Sequence, residues 1–186
     1  MALKATIYRA SISFSDLDQN HYADHALTIA RHPSETEERM MVRLLAFVLN
    51  APATNDQGAL EFGKDMWEAD EPALCQTDLT GLTEHWIELG QPDEKRLVRV
   101  CGRSKKVTVY SFSPGAATWW SGIASKLARV ENLTVWQIPA DQSQALGALA
   151  DRSMTLQFTL QEGSLWVEQD GRSVEIKLVQ LFGGTR

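Results

Sequence analysis

Apolar side chains alternate loosely with polar ones from residue 3 to 14, at Leu3, Ala5, Ile7, Ile12 and Phe14. The turn formers Ser15-Asp16-Leu17-Asp18-Gln19-Asn20 follow, and then a second extended stretch from Tyr22 to Arg31. This is the pattern of an antiparallel hairpin. Pro33 disfavours helix in its predecessor, and Ser34 with Glu37 three positions later has the spacing of a capping box. A helix is therefore predicted from there to about Asn50, with Met41, Leu44, Leu45 and Val48 as its apolar stripe and residues 51–58 as a loop. Beyond the loop, short strands are predicted at Leu60 to Gly63 and His85 to Leu89, separated by the acidic stretch 68–72.

The period then changes. Pro92 suits a first helical turn, Asp93 and Glu94 suit its positive end, and Leu97, Val98 and Cys101 share a face up to Gly102. Lys106 to Phe112 and Leu133 to Ile138 read as strands. Between them, Trp119, Trp120, Ile123 and Leu127 recur at helical spacing within residues 115–127. After a small helix near 141–150 the texture becomes all-β. Met154, Leu156, Phe158 and Leu160 alternate, Leu165 and Val167 lead into the hairpin signal Asp170-Gly171, and Val174, Ile176 and Leu178 alternate again. The pattern is that of an α/β (α+β) chain forming one domain over 1–186: an N-terminal hairpin (1–31), a core with helical crossovers (32–150) and a C-terminal β-meander (151–182).

Composition narrows the classes. The chain has 186 residues, 44% hydrophobic and 23% charged, which suits one globular core and excludes disorder and fibrous repeats. The apolar run Leu44 to Leu49 is far short of the roughly 18 residues needed to span a bilayer, and the N-terminus lacks a secretory pattern. A cytoplasmic protein without membrane contact is expected. The net charge of -6 argues against a non-specific coat on a polyanion. Cys75 and Cys101 have no C-x-x-C spacing and read as small buried hydrophobes.

The familiar phosphate-loop, dinucleotide and serine-hydrolase signals are absent. Asp16-x-Asp18-x-Asn20 begins like a calcium loop but carries His21 where that loop needs Gly, and His21 with His25 lacks a third zinc ligand. The constellation that does carry chemistry is acidic. Asp78 lies ten residues before Glu88, and Glu88 sits near the end of a strand that gives way to a turn and a helix. A hard cation such as Mg2+ can be held by one or two carboxylates, a carbonyl and waters, and can there activate a water. Glu38, within about 20° of Leu45 on the predicted helix, is the expected third carboxylate.

The strings MALKATIYRA (1–10), HPSETEERMMVRLLA (32–46), WIELGQPDEKR (86–96) and DRSMTL (151–156) resemble the bacterial YaeQ family along the whole chain. The resemblance implies a restriction-endonuclease-like mixed-sheet core, a variation on the PD-(D/E)XK nuclease fold, with β-hairpins from both termini flanking it. Such a core expects an Asp, then an Asp or Glu, any residue and a Lys on the next strand. Asp78 and Glu88 fit, but Gly90 stands where the lysine belongs. The nearest substitute cations are Lys95 and Arg96, whose role would be to stabilise charge at a scissile phosphate.

Six of the 18 basic side chains, Lys95, Arg96, Arg99, Arg103, Lys105 and Lys106, fall within twelve positions. Arg96, Arg99, Arg103, Lys105 and Lys106 are the expected nucleic-acid contacts. Plainer readings stand beside these: a solvated helix face, Glu88 paired with Arg96 or Lys95, Asp78 capping a turn, and Asp70 or Glu71 as the first acidic ligand. Two functions follow. One is an Mg2+-dependent phosphodiesterase acting on nucleic acid through Asp78, Glu88, Glu38 and Lys95 or Arg96. The other is a catalytically degenerate protein that binds nucleic acid or a transcription-associated protein.

Overall fold

The computed structural model describes residues 4–184, so Leu3 of the first alternation lies outside the described residues. Strands β1 (Thr6–Asp16) and β2 (His21–Arg31) form the expected hairpin in one uninterrupted register from Thr6↔Arg31 to Asp16↔His21. Asp16 closes the turn, its Oδ1 accepting from the amides of Asp18 at 3.1 Å and Gln19 at 3.0 Å. Those contacts belong to a turn residue, not to a calcium loop.

Helix α1 (Glu37–Asn50) ends where the pattern predicts but starts differently. Thr36, not Ser34, is the N-cap, its Oγ1 accepting from Arg39 N at 3.1 Å. Ser34 is engaged in the preceding turn through His32 Nδ1, and the Glu37 carboxylate accepts from Tyr8 Oη at 3.0 Å. Every residue from Met40 to Val48 is buried, so the apolar stripe is part of a helix enclosed all round. The reason is its position between two sheets.

The first sheet has the order β10-β9-β8-β1-β2, with β8 (Ser153–Gln161), β9 (Ser164–Gln169) and β10 (Arg172–Ile176) supplied by the C-terminal meander. Asp170 (φ 49°) and Gly171 (φ 77°) make the tight turn expected of Asp-Gly. β8 runs parallel to β1, from Arg9↔Ser153 to Asp16↔Leu160. The N-terminal hairpin and strands β8 to β10 of the C-terminal meander thus join in one sheet.

The second sheet follows β11-β7-β6-β5-β4-β3. β3 (Leu60–Phe62), β4 (Leu74–Thr77) and β5 (Thr83–Leu89) are antiparallel. Helix α2 (Glu94–Cys101) crosses over to parallel β6 (Ser104–Ser111), and α3 (Ala116–Leu127) crosses to parallel β7 (Leu133–Gln137). Helix α4 (Ala140–Gly147) leads back to β8, and β11 (Val179–Phe182) closes the edge beside β7.

Strand alternation divides the packing. Ile87, Leu89 and Tyr110 join α1 and the first sheet in the larger apolar cluster. Trp86, Val107 and Val109 meet Leu97, Val100, Trp120 and Leu127 on the other face. The buried stripe of α2 is therefore Leu97 and Val100, whereas Val98 is half exposed, because i and i+3 stack on one face while i+1 turns about 100° away. Among the described residues no helix is long and apolar enough to cross a membrane.

Candidate functional site

Glu88 leaves β5 on the α2 side of the second sheet, with the same parity as Trp86. It is 5% exposed, and its Oε1 accepts from Trp86 Nε1 at 2.6 Å and Arg96 Nε at 2.7 Å. Asp93 caps α2 through a 2.8 Å bond from Arg96 N, which fixes the first turn that carries the arginine. The guanidinium also donates to Ala69 O, and at 2.8 Å to Glu71 O. Arg103 lies over the Trp86 ring, 4.6 Å from its centre, and Arg99 pairs with Asp70 at 2.9 Å. The acidic segment 69–71 is thereby laced onto α2.

Asp78 is elsewhere. It opens the turn joining β4 to β5, where its Oδ1 accepts from Thr80 N at 2.8 Å, Thr80 Oγ1 at 2.7 Å and Leu82 N at 2.9 Å. The Thr80 hydroxyl and these amides hold its carboxyl below the ordinary aspartate range. Thr77 pairs with Thr83, and Glu88 is five residues further along β5, about 16 Å at the usual strand rise. Glu38 is on the other side of the sheet. It extends from α1 toward α4, where its Oε1 accepts from Ser143 Oγ at 2.6 Å.

Asp78, Glu88 and Glu38 therefore cannot share one Mg2+: the first two occupy opposite ends of β5, and the sheet separates the third from Glu88. Among the described residues no group of three or more His, Cys, Asp or Glu could hold a metal ion. Gly90 occupies the expected lysine position with φ 92°, a left-handed conformation that ends the strand and strains any side chain there. Of the acidic candidates, it is the Asp70–Glu71 segment that lies beside Glu88, and it engages Arg96 through carbonyl oxygen.

The six cations do not form one surface. Lys105 pairs with Glu84, and its ammonium is held above the usual lysine range by that carboxylate. Lys106, one position on, leaves β6 by the α1-facing side, lining a cavity with Thr108 and Tyr110. Lys95 is exposed on the first turn of α2. Cys75 and Cys101 are free and half-buried, and burial pushes the Cys101 thiol up to about 11.

A second charged constellation escaped sequence reasoning. Glu35, 2% exposed, accepts from Arg39 Nη1 at 2.8 Å and from Arg43 Nη2 at 2.6 Å. Arg39 continues to Asp65, and Arg43 Nη2 reaches Ala30 O at 3.1 Å. The signal was an arginine set among Met41, Val42, Leu44 and Leu45: a cation in a wholly apolar run must find a buried partner.

Together these features define a two-sheet α+β protein organised around a buried helix, with an ion-paired carboxylate at the end of an inner strand of its second sheet. The chain matches the family model described as YaeQ protein over residues 1–178. It is 43% identical over 180 residues to the uncharacterized protein YaeQ of Escherichia coli K12, covering 96% of each chain, and 44% identical over the same length to that of Salmonella typhi. The crystal structure of YaeQ from Xanthomonas axonopodis pv. citri is similar at TM-score 0.90 and 40% identity, covering 97% of this chain and 99% of that one. The corresponding values for YaeQ from Pseudomonas syringae are 0.87, 32%, 97% and 97%. The chain belongs to the YaeQ family.

Proposed function

We propose that this chain is a non-hydrolytic binding protein on a nuclease-like core. The observation that carries the reading is the Arg96 guanidinium seated against Glu88. A positive group is already built into the place where a metal-dependent phosphodiesterase would hold its cation. Asp78 and Glu38 point to other parts of the molecule, so no step is derived through Mg2+.

A protein partner is favoured over a polynucleotide. Arg96, Arg99 and Lys105, three of the cations that would meet phosphates, already carry acidic partners, and the net charge of -6 adds a repulsive field. The test is a panel of labelled DNA and RNA substrates incubated with Mg2+ or Mn2+. Neither cleavage nor salt-sensitive binding is expected. Metal-dependent cleavage that disappears in Glu88→Gln would overturn the reading.

A further inference from the structure

β2 is an edge strand: among the described residues it pairs only with β1. Exposed edges are usually blunted by proline, lysine or a bulge. β2 has none of these over eleven residues. Arg43 marks the direction of the open side by donating to Ala30 O. Since a residue's N–H and C=O point the same way and successive residues alternate, Tyr22, Asp24, Ala26 and Thr28 present backbone donors and acceptors there too.

Two cavities lie along that edge. One, of about 270 Å³, is lined by His25, Phe47, Leu60 and residues 51–55. His25 sets its ring edge-on to Phe47 at 5.2 Å, and its Nε2 is buried without a hydrogen-bond partner. The other, of about 240 Å³, is bounded by Ala30, Arg43, Phe62, Lys64, Asp65 and Trp67 among others. Its Glu35 and Asp65 carboxylates are occupied by arginines and Lys64 pairs loosely with Glu68 at 3.7 Å, but Arg43 Nε is buried without a hydrogen-bond partner, so the cavity keeps an unsatisfied donor.

We propose that the open edge of β2 is a strand-addition site at which an extended segment of a partner protein, bearing an apolar side chain and a carboxylate four positions apart, pairs with Tyr22–Ile29. Alternate side chains of an added strand face the same way, so those opposite His25 and Ile29 both point inward, about 13 Å apart. The apolar one meets the cavity over Phe47, and the carboxylate meets Arg43 and Lys64. A second copy of this chain is a poorer occupant, because two copies of charge -6 repel and each brings its own 51–58 and 63–67 loops to the junction. The inference rests on the protein-binding reading only in its choice of partner class.

Octapeptides selected from a random displayed library against the full chain, then synthesised, provide the test. Enriched peptides should share the apolar-to-acidic spacing. N-methylation of the alternate peptide amides that face β2 should weaken binding at least tenfold, while methylation of the intervening ones should leave it unchanged. Ala26→Pro should cause a similar loss at unchanged melting temperature, because the Ala26 N–H faces away from β1. Absence of enriched peptides, indifference to both methylation sets, or concentration-dependent self-association abolished by Ala26→Pro would each overturn the proposal. Cleavage of nucleic acid would instead strike at the non-hydrolytic reading, whatever the peptides do.

Discussion

His85 sits in the middle of the second sheet with Nε2 2.8 Å from Thr108 Oγ1, and burial, assisted by the neighbouring Lys106 charge, lowers its pKa to about 3. The ring is neutral in the native protein at pH values where the unfolded chain, with a histidine near 6.5, takes up a proton. Stability from this residue is therefore present above pH 6.5 and lost as pH falls from 6.5 toward 3. Between pH 7 and 5 the loss should be about 2 kcal/mol. Urea unfolding of the wild type and His85→Gln at both pH values checks this: the variant, which keeps a hydrogen-bonding atom near Nε2 but cannot titrate, should lose less by about that amount. Arg96 offers a different residue-scale test. Removing it leaves Glu88 nearly buried without its cation, so Arg96→Ala should lower stability by about 3 kcal/mol. Arg96→Ala combined with Glu88→Gln should recover part of it, measured in the same unfolding experiment. The Glu88–Arg96 pairing was legible in the sequence because eight residues and one tight turn separate the two. The error about Asp78 had the opposite cause. Ten residues of separation specify two carboxylates, but not that a seven-residue strand holds them at its two ends.

Helices and strands were legible where one face alone decides their pattern. The first hairpin, the meander, the C-terminal end of α1 and the ends of α3 follow from alternation, turn chemistry and helical spacing. β4 was not legible, because Leu74–Thr77 is four residues long and lies between acidic and polar segments. β11 was missed because its residues are only partly buried and its partner is remote in sequence. The capping of α1 by Thr36 was hidden by the fact that Glu37 serves Tyr8. The seat of α4 on α1 was hidden altogether, since it depends on Gly147, where an added Cβ would stand 2.7 Å from Glu38 Cα. Backbone must yield there, so Gly147→Ala should destabilise the protein by about 1–3 kcal/mol despite the better helix propensity of alanine. Thermal unfolding of Gly147→Ala beside Gly122→Ala, whose added Cβ meets nothing within 4 Å, separates the packing effect from propensity.

At the scale of the whole molecule, the segments 1–31, 32–150 and 151–182 share one interior. Tyr8, Phe14 and Ile29 from the first, Leu44, Ile87 and Leu146 from the second, and Phe158, Val167 and Ile176 from the third all belong to the larger apolar cluster. The parallel pairing of β1 with β8 welds the N-terminal hairpin and strands β8 to β10 into one sheet, and this long-range pairing left no mark in local periodicity. Without that sheet, the buried face of α1 would be open to water from Met40 to Val48, and Arg43 would lose its contact with Ala30. A fragment of residues 32–150 should therefore fail to fold, since the lost apolar burial is comparable to the few kcal/mol by which a domain of this size is stable. Far-ultraviolet circular dichroism and tryptophan fluorescence should trace a single coincident denaturant transition for the full chain. The fragment, which keeps Trp67, Trp86, Trp119, Trp120 and Trp136, should show no cooperative transition by either probe. A sharp transition in the fragment would mean that the segment 32–150 is an independent unit, and that the first sheet with its open β2 edge is an accessory docked upon it.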